Sequence, residues 1–157
     1  MEYRKATTSD IEQFVEHRMK FVTSVRDVDD IENFETNTKR YLENHIDKDD
    51  LIIYLAVDDD KIISSCMACI YQMIPLPSSP NGTIAELLNV FTEEEYRRSG
   101  HAEKLISQLI EEVKQQGVTK MILEYISDGF LLYEKLGFEM LEKQMQLKIA
   151  GIKPPSS

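Results

Sequence analysis

Hydrophobic residues in the first fifty positions recur at the spacing of two amphipathic helices. An apolar stripe with a helical period runs through residues 11–25, which predicts the first helix. Ser9, followed three residues later by Glu12, fits a capping box at its start. The second helix is predicted to begin at position 29 or 30 and to end before position 48. A short strand is predicted at residues 3–6.

The middle of the chain changes to the pattern of β-strands. Residues 51–57 form a continuous apolar run, which predicts a buried strand. The charged run 58–61 is predicted to turn it into a second strand at 62–74. We prefer a turn to a cation site there, because no further ligands follow at metal-binding spacing. Residues 75–82 are rich in proline, serine and glycine and predict a loop before a third strand at 84–92.

The next part of the chain predicts a long helix, a strand and a short helix. The long helix carries apolar residues at i, i+3, i+4, i+7, i+8 and i+11, and it should end at Gly117. These residues are Ala102, Leu105, Ile106, Leu109, Ile110 and Val113. A strand is predicted at 121–126, and a short helix at 128–136.

The C-terminal part predicts a final hairpin. Residues 138–141 should begin it, and Met145, Leu147 and Ile149 alternate with polar neighbours as in an edge strand. We expect residues 1–150 to form a single domain and residues 151–157 to form a frayed tail.

The composition is typical of one globular domain. The chain has 157 residues, of which 42% are hydrophobic and 29% are charged, enough to form a core without disulfides. It contains no apolar run of roughly 18 residues and no apolar signal region near its N-terminus. We therefore expect a cytoplasmic protein with no membrane partner.

Net charge narrows the range of partners. The formal net charge is −10, from 28 acidic and 18 basic residues. Such a surface repels nucleic-acid phosphates and attracts cationic solutes such as amines. We therefore expect no nucleic-acid partner.

Two cysteines, Cys66 and Cys69, lie three positions apart within the strand predicted at 62–74. Residues at this spacing in a strand point to opposite faces. We therefore expect neither a disulfide between them nor a shared metal, and we interpret both as reduced packing residues.

A basic turn stands between the strand at 84–92 and the long helix, with the sequence Arg97-Arg98-Ser99-Gly100-His101-Ala102. The first N–H groups of a helix have no intrahelical partner, and the helix dipole adds partial positive charge there. Gly100 lets the backbone approach a ligand closely, and Lys104 adds a further cation. The turn therefore predicts a seat for a pyrophosphate.

This turn resembles the acetyl-CoA-binding motif of the GNAT superfamily of N-acetyltransferases, Gln/Arg-x-x-Gly-x-Gly/Ala. Asn89-Val90-Phe91-Thr92 precedes it, and Tyr133-Glu134-Lys135-Leu136-Gly137-Phe138 follows it. The second run resembles the Tyr-x-Lys-x-Gly-Phe signature near the C-terminus of many members. The order of strands and helices also matches, over essentially the whole chain. On these motifs the chain is identified as a member of the superfamily.

The resemblance implies an α/β (α+β) GNAT fold. Its central, mixed and mostly antiparallel twisted sheet would have six to seven strands flanked by about four helices, and it would splay at the acetyl-CoA site. The first two helices would wall the acceptor cleft. The co-substrate would be acetyl-CoA, with no metal.

The resemblance also implies which residues bind acetyl-CoA. The pantetheine arm would lie along the backbone of Val90, Phe91 and Thr92. Seven residues would hold the pyrophosphate: Arg97, Arg98, Ser99, Gly100, His101, Ala102 and Glu103. His101 departs from the usual aliphatic residue after the glycine, and we interpret it as a tolerated surface-facing substitution.

Acetyl transfer to an amine needs a base for the amine, an N–H donor for the oxyanion and a proton for the departing thiolate. Glu86 is the candidate base, because a similar glutamate-containing strand supplies it in histone-type members. The alternative is a glutamate at the cleft rim that relays protons through a water. Alternation places Glu86, Leu88 and Val90 on one face of the strand. Tyr133 is the candidate acid by the resemblance, and the alternative is a packed aromatic.

The leading hypothesis is an acetyl-CoA-dependent N-acetyltransferase that acts by direct attack of a primary amine. The amine would belong to a small cationic molecule such as a polyamine, an amino acid or an aminoglycoside-like compound. The alternatives are a protein N-terminal or lysine acetyltransferase and a non-catalytic acyl-CoA-binding domain. A homodimer is left open. His17 and His45 are expected to be solvated on their helices.

Overall fold

Five strands form one sheet in the order β1 to β5, as seen in a computed structural model that describes residues 1–150. The predicted tail at 151–157 lies outside the described residues. The strands are β1 (Glu2–Lys5), β2 (Leu51–Asp58), β3 (Lys61–Gln72), β4 (Thr83–Thr92) and β5 (Lys120–Ile122). Neighbours from β1 to β4 are antiparallel, and β5 runs parallel to β4. The architecture is therefore mixed α/β, as expected.

Helices cover both faces of the sheet. They are α1 (Ile11–Val25), α2 (Ile31–His45), α3 (His101–Gln115) and the short α4 (Phe130–Lys135). The bounds of α1 and α2 confirm the prediction. Asp30 caps α2 by accepting a hydrogen bond from the N–H of Asn33 at 3.1 Å. No helix within residues 1–150 has the length and apolarity to cross a membrane.

Two cores lie on opposite faces of the sheet. Ile52 and Ala56 of β2 pack toward Leu105 and other residues of α3, whereas Leu55 of β2 packs toward Phe14 of α1. A strand covered on both faces needs apolar residues at odd and even positions alike. This explains why residues 51–57 show a continuous apolar run.

The start of α1 differs from the predicted capping box of Ser9 and Glu12. The carboxylate of Asp10 accepts a hydrogen bond from the N–H of Thr7 at 2.8 Å. Asp10 is also held by Arg4, with N–O distances of 2.7 and 2.8 Å. A turn of 3₁₀ helix at Thr8–Asp10 precedes α1, and it moves the capping interaction two residues toward the N-terminus. The predicted box was therefore wrong.

The final hairpin is absent from the described residues. Residues 138–150 contain no strand, and β5 covers only Lys120–Ile122 rather than 121–126. Met145, Leu147 and Ile149 are 95%, 77% and 83% exposed. Alternation shows which side chains would share a face, but a strand also needs a partner edge, and β5 offers a very short one. The prediction of six to seven strands was therefore wrong for residues 1–150, where the sheet has five.

Candidate active site

A β-bulge interrupts β4 within its pairing with β3. Met67 pairs with Leu88, but Ser65 pairs with Phe91. One residue of β3 therefore faces the pair Asn89 and Val90, which defines a bulge. Asn89 has a left-handed backbone, with φ of +52°, a conformation that asparagine tolerates better than most residues.

The bulge reverses the faces that follow it. Leu88 packs on the core beneath α1 and α2, whereas Val90 packs on the core beneath α3. The expected alternation of Glu86, Leu88 and Val90 on one face is therefore wrong at Val90. The extra residue shifts the side-chain period by one position.

The sheet opens between β4 and β5. The two strands pair only from Ile84 to Glu86 on β4, opposite Lys120–Ile122. Beyond Glu86, the edge of β4 that faces β5 has no strand partner within the described residues. Backbone N–H and C=O groups left free in this way can pair with an extended ligand, as they would with another strand.

The N-terminus of α3 lies beyond this opening and offers a row of free amides. Among residues 1–150, the backbone N–H groups of 98–103 have no hydrogen-bond acceptor, and the first helical bond comes from Lys104 to the carbonyl of Gly100. Arg98 and Gly100 have left-handed backbones, with φ of +64° and +80°. Successive N–H groups in such a turn converge on a concave anion site. This geometry supports the predicted pyrophosphate seat.

The two arginines of the turn differ in their contacts. Arg97 donates from Nε to the carbonyl of Thr92 at 3.0 Å, and its guanidinium lies 6.0 Å from the ring centroid of Phe91. Arg97 thus braces the end of β4. Arg98 is exposed, and its side chain has no ion pair or hydrogen bond within the described part of the chain. Arg98 is therefore the arginine that is free to meet a phosphate.

His101 is not a surface-facing substitution. It is half-buried, and its Nδ1 lies 2.7 Å from the hydroxyl of Tyr3. Lys104 lies over the same Tyr3 ring, at 3.9 Å from the centroid. This contact ties the first turn of α3 to β1, and the earlier interpretation of His101 was wrong. Glu103 was also predicted in this turn. Its Oε1 lies 3.0 Å from Nζ of Lys135 on α4.

The side chains of the last β4 residues point into the protein. Phe91 is buried, with its ring centroid 5.0 Å from that of His17 and 5.3 Å from that of Phe21. The hydroxyl of Thr92 lies 2.7 Å from that of Ser64. These side chains are therefore engaged within the protein, and contact with a ligand through the backbone of Phe91 and Thr92 stays a prediction.

Tyr133 lies on α4 and packs against the core beneath α3. Burial raises the pKa of Tyr133 to about 12, so the phenol keeps its proton at neutral pH. A Cβ on Gly129 would come within 2.8 Å of the Tyr133 ring, so the glycine makes room for the ring. The hydroxyl has no hydrogen-bond partner within residues 1–150, which leaves it free for a ligand.

Glu86 lies on the opposite face of the sheet, beneath α1 and α2. Its carboxylate accepts a hydrogen bond from the hydroxyl of Tyr71 at 3.1 Å. Cys69 is its partner across the β3–β4 ladder, and the hydroxyl of Tyr41 lies 3.8 Å from the Cys69 sulfur. The sequence pattern gave no reason to single out Tyr41 or Tyr71.

A buried polar network supports the bulge. Ser65 donates to the carbonyl of Asn89 at 3.0 Å and accepts from the Asn89 side-chain amide at 3.0 Å. Nε2 of His17 lies 2.8 Å from the same hydroxyl, and Arg18 donates to Oδ1 of Asn89 at 3.0 Å. Because Ser65 has only one proton to donate, Nε2 must be the protonated nitrogen of His17.

His17 is thus buried rather than solvated. Burial lowers its pKa to about 4, and the neutral ring presents Nδ1 toward Glu93, 3.8 Å away. The sequence did carry a signal for this burial. His17 lies three residues after Phe14 and four before Phe21, which places it beside the apolar stripe of α1. His45 is also not freely solvated, because it pairs with Asp50 at 2.9 Å and stacks on Tyr41.

The two cysteines pack on opposite faces of the sheet, as predicted. Both are free, and Cys66 packs in the core beneath α3 while Cys69 packs in the core beneath α1 and α2.

A cavity of about 360 Å³ adjoins His17, Lys20 and Glu93 but includes neither Glu86 nor Tyr133.

The acetyltransferase (GNAT) domain model matches residues 2–141. Among solved structures, a predicted acetyltransferase with acetyl-CoA from Clostridium acetobutylicum is 23% identical, with a TM-score of 0.86 over 94% of this chain and 96% of that chain. Glucosamine-6-phosphate N-acetyltransferase from Arabidopsis thaliana is 21% identical, with a TM-score of 0.69 over 94% and 97% of the two chains.

An aminoglycoside 6′-N-acetyltransferase from Acinetobacter haemolyticus is 20% identical, with a TM-score of 0.72 over 94% and 97% of the two chains. At these identities the structural likeness shows the fold and does not identify the acceptor. No curated protein sequence is significantly similar to the chain. The family match spans most of the chain, and the short pairing of β4 with β5 fits the splayed sheet that the resemblance implies. The chain therefore belongs to the GNAT acetyltransferase family and is an acetyl-CoA-dependent N-acetyltransferase.

Proposed function

We propose that the protein transfers the acetyl group of acetyl-CoA to the primary amine of a small cationic molecule by direct attack. The observation that carries this proposal is that Glu86 and Tyr133 lie on opposite faces of the sheet. Glu86 pairs with Cys69 on the face of α1 and α2, at the last position where β4 pairs with β5, and Tyr133 packs against the core beneath α3. A thioester in this opening has a proton acceptor on the side of α1 and α2 and a proton donor on the side of α4.

The co-substrate binds along the opening. The free amides of residues 98–103 and the side chain of Arg98 hold the pyrophosphate, and the unpaired edge of β4 after Glu86 holds the pantetheine arm. The acyl carbonyl then lies near Val90, where a backbone N–H can stabilise the oxyanion. The bulge at Asn89 sets the direction of that part of the backbone.

The reaction has one bond-forming and one bond-breaking step. The ammonium of the acceptor loses a proton to Glu86, directly or through a water. Its nitrogen attacks the thioester carbon to give a tetrahedral intermediate, and the extra proton on that nitrogen passes to water. The intermediate then expels the CoA thiolate as the amide forms. Tyr133 gives its proton to the sulfur, and its high pKa ensures that the phenol carries that proton beforehand.

The charge of the protein supports a cationic acceptor. The net charge of −10 raises the local concentration of ammonium compounds. An acidic surface also suits a protein N-terminus or a lysine side chain, so a peptide acceptor is the alternative within the same chemistry. A cytoplasmic location and a homodimer stay predictions of the sequence.

The decisive experiment measures thiol release from acetyl-CoA in the presence of separate amines. The panel contains polyamines, amino acids, an aminoglycoside and peptides with a free N-terminus or a lysine. Faster release with small amines than with peptides supports the proposal. Preference for peptides would support the protein acetyltransferase. Acetyl-CoA binding without transfer to any amine would favour a non-catalytic acyl-CoA-binding domain.

A further inference from the structure

Arg18 of α1 is a half-buried cation without an acidic partner. Its guanidinium donates one hydrogen bond, to Oδ1 of Asn89, and lies 5.6 Å from the ring centroid of Phe34 on α2. Within residues 1–150 no carboxylate lies within ion-pair distance of it. Arg4, by contrast, is fully matched by the two carboxylate oxygens of Asp10.

An unmatched guanidinium in this position is costly to the free protein. Arginine has five N–H donors and stays charged, and burial lowers the pKa of Arg18 because it disfavours the charged form. Buried charges are normally paired, since an unpaired one has lost water without gaining a counter-ion. The planar donors of Arg18 therefore remain available for a carboxylate or a phosphate.

Arg18 contacts β4 close to Glu86 in sequence, on the face of the sheet that α1 and α2 cover. Arg18 contacts Asn89, which follows Glu86 by three residues on β4. The Cα atoms of Glu86 and Asn89 are therefore at most about 10 Å apart. Burial raises the pKa of the Cys69 thiol, the Tyr41 hydroxyl lowers it, Glu86 raises it further and Arg18 lowers it. Both charged groups therefore act on Cys69, which pairs with Glu86 across the β3–β4 ladder and packs in the core beneath α1 and α2.

We propose that Arg18 binds an anionic group, a carboxylate or a phosphate, on the acetyl acceptor. The inference rests on the proposed function, and it narrows the acceptor to an amine that carries an oxyanion a few bonds away. Glu86 would receive the ammonium and Arg18 the oxyanion, so the cleft complements a zwitterion. Amino acids fit this pattern, whereas polyamines, which lack an anion, do not.

The test compares amines that differ only in the oxyanion. The pairs are serine with ethanolamine, phenylalanine with phenethylamine, and lysine with cadaverine, and phosphoethanolamine provides the phosphate. We expect kcat/KM of the acid to exceed that of its decarboxylated partner by about 10- to 100-fold, the value of a charge-assisted hydrogen bond. A preference for phosphoethanolamine over serine would identify the anion as a phosphate.

Arg18→Gln should bring this ratio close to one, mainly through KM. Arg18→Lys, which keeps the charge but loses the planar fork, should retain part of it. Damage to the bulge would lower the rates of both members of a pair and leave their ratio unchanged, so the ratio separates binding from support of Asn89. Arg40→Gln, an exposed change on α2, is the matched control and should preserve the wild-type ratio.

The proposal and the proposed function fail in different ways. Acetylation of polyamines as efficiently as of amino acids, or a ratio that survives Arg18→Gln, would overturn the role of Arg18 and leave the acetyltransferase intact. If no amine is acetylated, calorimetric titration of serine and ethanolamine into the CoA-bound protein decides the matter. Binding of serine that disappears in Arg18→Gln supports the anion seat, and absence of such binding overturns it.

Discussion

The coenzyme side and the acceptor side of the site are built in different ways. The proposed coenzyme side, from β4 to the first turn of α3, relies on backbone amides, with Arg98 and Lys104 as exposed cations that have no ion pair within residues 1–150. The proposed acceptor side, beneath α1 and α2, relies on side chains such as Arg18, Tyr71 and Glu86 from three separate elements. The first kind of site leaves a local pattern in the sequence, and the second arises only when distant segments pack together.

The two kinds of site should differ in how readily their specificity changes. Backbone amides recognise a pyrophosphate whatever the side chains are, so the coenzyme seat can stay constant while the acceptor side varies. Arg18 and Tyr71 lie on α1 and β3, so we expect that exchanging them would leave the row of amides at 98–103 unaltered. Variants on the two sides should therefore affect different kinetic constants.

Tyr133→Phe should have the largest effect on turnover. Loss of the proton donor to the thiolate should lower kcat by about ten- to a thousandfold, with little change in acetyl-CoA affinity. Burial places the pKa of Tyr133 at about 12, so deprotonation of this phenol should not shape the wild-type rate between pH 6 and 9. Steady-state kinetics on the preferred amine measure the effect.

Tyr54→Phe is the matched control, because it removes a phenol that hydrogen-bonds to Glu112 of α3 away from the opening. It should leave kcat near the wild-type value. A Tyr133→Phe variant with wild-type rates across this pH range would remove Tyr133 from the mechanism and make it a packed aromatic.

Arg98→Glu should have the largest effect on the coenzyme side. A carboxylate beside the pyrophosphate replaces a charge-assisted contact with repulsion, and we expect acetyl-CoA affinity to fall by about a hundredfold. At a hundredfold excess over the wild-type Kd, acetyl-CoA should stabilise the wild type by about 2.7 kcal/mol and the variant by only about 0.4 kcal/mol, so most of the melting shift should be lost. Lys114→Glu changes the net charge equally at the far end of α3 and should keep the shift. If Arg98→Glu keeps it too, the phosphates bind elsewhere.

The sequence predicted the strand, turn and helix that form the proposed coenzyme side, because the signals for them are local. Gly100, the basic turn and the apolar stripe of α3 stand next to one another, so one stretch of chain defines the seat. The bulge at Asn89 was missed because it depends on the register between β3 and β4. His17 was misjudged because its partner Ser65 lies 48 residues away. The final hairpin was predicted from alternation alone, which does not reveal whether a partner edge exists.

His17 should make stability depend on pH through the acceptor side. Its pKa is about 4 in the folded protein and about 6.5 when unfolded. Between these values the unfolded chain binds a proton that the folded protein does not, so the free energy of unfolding should fall as the pH falls. From pH 7 to pH 5 the loss should be about 2 kcal/mol.

Urea unfolding at the two pH values measures this loss. His17→Gln keeps a donor for Ser65 but cannot take up a proton, so it should remove most of the difference between pH 7 and pH 5. His45→Gln on α2 should retain it. A wild-type slope in His17→Gln would show that other groups cause the pH dependence.

Glu86→Gln should have the smallest and most conditional effect, because it depends on how much amine is already neutral. The glutamine keeps the shape of the side chain and an oxygen for Tyr71, but it cannot accept the proton. We expect the rate to fall by about tenfold at pH 6, where free amine is scarce, and by much less at pH 9. The acidic limb of the kcat/KM profile should therefore differ between the wild type and the variant, and the variant should follow deprotonation of the substrate alone. Glu111→Gln, an exposed change on α3, is the control and should follow the wild-type profile. A uniform loss at every pH would make Glu86 a residue that positions the acceptor, and no loss would leave deprotonation to water.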